Sequence, residues 1–190
     1  MHRLFIAIRP PPFIRSRLLA LMEGVAGVRW QDDDQLHLTL RFIGEVEPHR
    51  ANDLADLLGT VRFRPFPIEL SGVGSFEQNG RTHSLWVGVR PREPLLALHR
   101  KVDRLCAAVG LDADSRAYLP HLTIARCTRS TGPLENFLES NAGVTSPPFP
   151  VDGFSLFESR LGHAGAVYYE IAHYPAEGMQ GPASGETRQC

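Results

Sequence analysis

Apolar residues recur along this chain with two periods, and the switches between them set out its elements in order. Arg3-Leu4-Phe5-Ile6-Ala7-Ile8 is a short apolar run that predicts a buried strand, and a proline-started amphipathic stretch from about Pro11 to Met22 predicts a helix. From Gln35 to Ile43, Leu36, Leu38, Leu40 and Phe42 alternate with His37, Thr39 and Arg41 at the period of two expected of a half-buried strand, which Gly44 closes. Pro48 opens a helical stretch to about Leu58, and Phe66 to Val73 is β-rich. The order then repeats. Ser84 to Val89 predicts a strand; Glu93 to Val109 predicts a helix with Leu95, Leu98, Val102, Leu105 and Val109 on one stripe and Gly110 as its stop. After Pro120 come a strand from His121 to Cys127, a short helix from Pro133 to about Leu138, and strands from Pro150 to Phe157 and Ala166 to Ala172. Gly72 to His83 and Leu111 to Tyr118 are expected as loops. Pro175 to Cys190, rich in Gly, Pro, Ser and Glu, is expected as a disordered tail.

Both halves read β-α-β-α-β. Phe5 precedes His37 by 32 residues, Trp86 precedes His121 by 35, and the two histidines lie 84 apart. Two copies are too few for a stacked array, so the expected architecture is an α+β, duplicated, bilobal domain over residues 1–174, with two interleaved lobes making one unit. At 190 residues the chain is long enough to bury a core without a disulfide or metal staple. A hydrophobic fraction of 43% and a charged fraction of 22% exclude a disordered or fibrous chain.

Charge narrows the partners. A net charge of −1 leaves no global positive field for gripping duplex DNA. Lys101 is the one lysine, so the positive charge is almost all arginine, whose planar fork suits phosphate and carboxylate; a GC-rich genome gives the same bias. Cys106, Cys127 and Cys190 form neither an even set nor a metal-ligand spacing. The apolar run Leu4 to Ile8 is too short for a signal peptide or membrane span, so a soluble cytoplasmic protein, monomeric and without a membrane partner, is expected.

One motif occurs twice. His37-Leu38-Thr39-Leu40 returns as His121-Leu122-Thr123-Ile124. A lone H-x-T is weak, with about 0.3 chance matches in such a composition, but the four-residue pattern is expected only about 0.006 times. On a strand, His at i and Thr at i+2 project from one face while the apolar residues between them project from the other. Two lobes related by a pseudo-twofold axis would bring two imidazoles and two hydroxyls into one cleft. No carboxylate or cysteine accompanies both copies, so neither a metal nor another cofactor is expected. Two imidazoles suit one base and one acid in a phosphodiester displacement, with the Thr39 and Thr123 hydroxyls donating to the phosphate oxygens. The plain alternative is two strand histidines satisfied by their neighbours.

With these residues in view, the sequence resembles the 2H phosphoesterases, and among them the RNA 2′,3′-cyclic phosphodiesterase family, also called 2′-5′ RNA ligases. The resemblance is carried by Arg3 to Ile8, Trp30, His37 to Val46, Leu85 to Val89, Pro120 to Arg126, and Phe154 to Leu161 with Tyr168. It implies antiparallel sheets facing a central cleft with helices outside, and metal-independent hydrolysis of RNA 2′,3′-cyclic phosphate ends, or of small cyclic nucleotides, to 2′-phosphates. It maps His37 to the proton donor and His121 to the acceptor. Arg41 shares the parity of His37 and is expected in the cleft. Arg126 has the parity of Leu122 and Ile124; a bulge or the strand end could turn it to the substrate, and a structural salt bridge is the other reading. Family members often carry proline and basic residues where this chain has Phe76 to Arg81; Phe76 is placed either to stack on a base or to anchor its loop. His49, His83, His99, His163 and His173 match no repeated pattern and are expected on the surface or in packing. Two rival functions remain open: reversible 2′-5′ RNA ligation and cleavage, and a non-catalytic module that binds nucleotides or RNA ends.

Overall fold

The computed structural model describes residues 1–112, 117–162 and 165–179. Its strands are β1 (His2–Ile8), β2 (Val28–Trp30), β3 (Leu38–Val46), β4 (Phe66–Gln78), β5 (Arg81–Arg90), β6 (His121–Cys127), β7 (Phe149–Val151), β8 (Gly153–Gly162) and β9 (Gly165–Pro175). The helices are α1 (Pro12–Ala20), α2 (Pro48–Leu58), α3 (Glu93–Ala108) and α4 (Glu135–Asn141), with a 3₁₀ turn at Asp33–Gln35. Proline occupies the first turn of α1, α2 and α3, where its missing N–H is not needed.

The strands run β7-β4-β5-β6-β3-β1-β8-β9, with β2 on β6, and every ladder is antiparallel. The two expected sheets are the two halves of this path, joined between β3 and β6 at the single pair Leu38–Leu122. Each half takes its outer strands from the other half of the sequence: β4 pairs with β5, and β8 pairs with β1. Leu4, Ile6, Ile8, Leu38, Leu85, Val87 and Leu122 face one side and join Ile14, Leu18, Leu54, Leu95, Leu98 and Val102 of the helices in a single core. The opposite face is open and carries only a small cluster of Phe5, Ala7 and Phe157 with Tyr168 against it.

Three expectations change. The loop expected from Gly72 to His83 is mostly strand: Asn79 and Gly80, at φ 54° and 71°, make the two-residue turn of a long β4–β5 hairpin. In α3 the fourth fully buried side chain is Cys106, with Leu105 and Val109 only packed beside the core. The segment expected as tail from Pro175 is folded as far as Met179: β9 includes Pro175, Ala176 is 2% exposed, and the backbone N–H groups of Ala176 and Glu177 donate to Asp152 and Phe63. Residues 180–190, and residues 113–116 of the loop before β6, lie outside the described residues. No helix among the described residues is long and apolar enough to cross a membrane.

Candidate active site

The site follows from how β3 meets β6. Residues directly opposite in an antiparallel ladder project from the same face, and their chain neighbours from the other. Leu38 and Leu122 are opposite each other in the helix-side core, 1% and 0% exposed, so His37, Thr39, His121 and Thr123 share the open face. The register sets His37 beside Thr123 and Thr39 beside His121, and makes the imidazoles diagonal neighbours, whose Cα atoms in a regular ladder lie about 7–8 Å apart. The four residues of the repeated motif thus surround one bridge.

Each histidine is held in the same way. His37 Nδ1 lies 2.7 Å from the Gln35 carbonyl oxygen and His121 Nδ1 lies 2.6 Å from that of Leu119. A carbonyl only accepts, so each Nδ1 carries a proton and donates it, leaving Nε2 as the free nitrogen, a lone pair in the imidazole and a donor in the imidazolium. The Thr39 and Thr123 hydroxyls have no hydrogen-bond partner among the described residues.

Beyond the motif both strands carry a bulge at the same place. The β1–β3 ladder passes from Ala7–Thr39 to Ile6–Arg41, skipping Leu40; the β5–β6 ladder passes from Trp86–Thr123 to Leu85–Ala125, skipping Ile124. One extra residue reverses the parity of all that follows. Arg41, expected in the cleft, therefore turns to the helix side, where it is 6% exposed, ion-pairs with Asp103 of α3 at 3.1 Å and donates to the Asp112 carbonyl. Arg126 is turned the opposite way, onto the open face, where its charge acts on both histidines. The register also shows that Ala7, not Phe5, occupies the position of Trp86.

Burial is the main cause that pushes His37 down to about 4; the charges of Arg126, His121 and Arg9 add to it, against the Gln35 hydrogen bond. His121 is lowered too, first by burial and then by Arg126. Both are therefore neutral at pH 7 in the free protein. Aromatic rings wall them: Phe5 and Tyr168 lie 4.9 and 5.3 Å from His37, Phe76 and Trp86 4.8 and 6.1 Å from His121. Phe76 belongs to β4 and meets His121 edge-on, at 82°. Trp86 lies so close over Gly74 that a Cβ there would come within 2.3 Å of the indole.

Sequence reasoning did not single out Tyr118 or assign His99 a place. The Tyr118 hydroxyl donates to the Thr39 carbonyl at 3.0 Å, His99 Nδ1 donates to the Leu40 carbonyl at 2.8 Å, and the two rings stack at 4.0 Å. The β3 bulge leaves those carbonyls to be satisfied from outside the β1 ladder. Burial raises the Tyr118 pKa, keeping it a donor. Asp33 and Asp34 are ion-paired with Arg9, and Asp33 also with Arg15. His163 lies outside the described residues.

The geometry finds close relatives. The chain is 32% identical over 166 residues, 82% of its length and 94% of the other, to an RNA 2′,3′-cyclic phosphodiesterase of Aeropyrum pernix. It is 29% identical over 172 residues, 89% of its length and 97% of the other, to one of Archaeoglobus fulgidus. Among solved structures it superposes on TT0787 of Thermus thermophilus with a TM-score of 0.78 and 25% identity, covering 91% and 97% of the two chains. On Escherichia coli LigT bound to 3′-AMP the TM-score is 0.75, with 26% identity over 93% and 98%. The pattern of the 2′-5′ RNA ligase superfamily matches residues 17–163, which include both histidine motifs, and the chain belongs to that superfamily of 2H phosphoesterases.

Proposed function

We propose that the protein hydrolyses RNA ends carrying a 2′,3′-cyclic phosphate to 2′-phosphates, with two histidines and no metal or other cofactor. The observation that carries this is the matched pair of imidazoles, each with Nδ1–H spent on a backbone carbonyl and Nε2 free, on one face with two unpartnered threonine hydroxyls. His121 Nε2 takes a proton from water as its oxygen attacks phosphorus. The P–O3′ bond breaks, and His37 Nε2–H delivers its proton to the departing 3′ oxygen, leaving a 3′-hydroxyl and a 2′-phosphate. Thr39, Thr123 and Arg126 stabilise the charge on the non-bridging oxygens, and Phe76 offers its ring to the terminal base. The named activities of the relatives support the same reading. RNA 2′-5′ ligation would be the related exchange with an RNA hydroxyl in place of water, and the superfamily's name favours keeping it in view.

Purified protein in EDTA should convert a nucleoside 2′,3′-cyclic phosphate to the 2′-phosphate, followed by phosphorus NMR. Each of His37→Ala and His121→Ala should lose about 10²–10⁴ in kcat. A full rate in either variant would refute the mechanism. Tight 2′-phosphate binding without turnover would identify a binding module instead.

A further inference from the structure

The two-histidine chemistry leaves part of the open face unused. Phe42 is 44% exposed there, a large ring that the fold could have buried. It stands directly across from Phe5, whose own ring packs 4.9 Å from His37, so it continues the wall of the active site outward along β3. The Arg3 guanidinium lies over the Phe42 ring, 5.5 Å from its centroid. Arg3 shares the face of Phe5, two residues before it on β1. Glu45 is its neighbour across the ladder, yet Arg3 makes no ion pair with a carboxylate among the described residues.

The pseudo-symmetry of the sheet adds a second observation. Past the matching bulges, Phe42 pairs with Phe5 as Arg126 pairs with Ser84, so Phe42 and Arg126 occupy equivalent positions in the two halves. One half sets a cation beside its H-x-T motif; the other sets an aromatic ring capped by a cation. A nucleobase presents a π face that stacks on such a ring whatever the base, and a guanidinium beside it suits the connecting phosphate. Phe42 is three residues beyond Thr39, about 10 Å along the strand, outside the reach of the terminal phosphate itself.

Resting on the phosphodiesterase reading above, we propose that Phe42 and Arg3 bind the nucleotide on the 5′ side of the cyclic phosphate end, which makes RNA chain ends of two or more nucleotides, and not mononucleotides, the preferred substrates. The test compares kcat/KM for a nucleoside 2′,3′-cyclic phosphate with that for a dinucleotide ending in the same group. In the unaltered protein the dinucleotide should be favoured about tenfold or more. Phe42→Ala should bring the dinucleotide down to the mononucleotide value while leaving the mononucleotide within about twofold; Phe42→Tyr should keep the preference, and Arg3→Gln should reduce it and its salt dependence. No preference in the unaltered protein, or an equal loss on both substrates in Phe42→Ala, overturns the subsite and leaves the phosphodiesterase standing. Absence of turnover on both substrates fails the phosphodiesterase reading instead. Fluorescence titration with the dinucleotide and mononucleotide 2′-phosphates then decides the subsite: tighter dinucleotide binding, lost in Phe42→Ala, supports it, and equal binding overturns it.

Discussion

A proton donor whose pKa is about 4 is empty at pH 7, so His37 can act as the acid only if the substrate brings its proton onto it. The perturbation to study is the binding of a phosphodiester. A single negative charge about 4 Å from the imidazolium, at an effective dielectric constant of about 20, favours the charged ring by about 4 kcal/mol. That is roughly three pKa units, enough to return His37 to about 7. At pH 6 the ring would go from about 1% protonated to about 90%, so binding takes up close to one proton. Between the two values affinity should weaken about tenfold for each unit of rising pH. The assay is calorimetric titration of a cyclic nucleotide into His121→Gln, which keeps the diester intact, in two buffers of different ionisation enthalpy. The heats should differ by close to one buffer ionisation per site. Buffer-independent heats at pH 6, or an NMR titration placing free His37 near 6.5, would refute the reasoning.

Three further outcomes are expected. Arg126→Gln removes a cation that lowers both imidazoles, so their pKa values should rise in histidine NMR titrations of the free protein, while kcat/KM falls with a weaker salt dependence. Tyr118→Phe leaves the Thr39 carbonyl without its donor, at a cost of about 1–3 kcal/mol read from urea unfolding, and should lower kcat more than it raises KM because the carbonyl belongs to a residue of the site. His37 binds a proton less readily folded, at about 4, than unfolded, at 6.5, so its contribution to stability is present above pH 6.5 and is lost as pH falls towards 4, by up to about 3 kcal/mol. The difference in urea midpoint between the unaltered protein and His37→Gln should therefore shift between pH 7 and pH 4.5 by the corresponding fraction.

The elements carried by strong periodicity were readable in the sequence: β1, β3, β6 and the helices α1, α2 and α3 lie within a few residues of their expected places. The repeated H-x-T pattern pointed to the shared face, because Leu38 and Leu122 fix that face once they are buried. Alternation misled at Arg41 for a physical reason: a bulge is one residue of slippage, invisible to a strict period of two, and it exchanges the faces of everything downstream. The same slip decided Arg126 in the opposite direction. The β4–β5 hairpin carried its signal in Asn79-Gly80, a pair suited to a two-residue turn, but the surrounding glycine and polar residues read as loop. Tyr118 and His99 could not have been found from pattern, since they answer carbonyls that only the bulge sets free.

A near-symmetric frame must still run a reaction that has a direction, with water on one side of phosphorus and the leaving oxygen on the other. The backbone does not supply that direction, because His37 and His121 donate to carbonyls two residues upstream in the same way. What separates them is their surroundings. His37 feels Arg126, His121 and Arg9 and sits among Phe5 and Tyr168, whereas His121 has Arg126 as its charged neighbour and Phe76 and Trp86 beside it. The free protein thus makes His37 the harder of the two to protonate, and the donor role reaches it only in the order anion first, proton second. This order fits a chain of net charge −1: a donor charged in advance would hold any passing anion, while one charged on binding spends its proton only on a phosphate seated against both threonines and Arg126. The proton counted in the bound complex therefore also fixes the direction of attack. Found on His121 instead, it would make His37 the base and send water in from the Phe5 side, with every residue of the site unchanged.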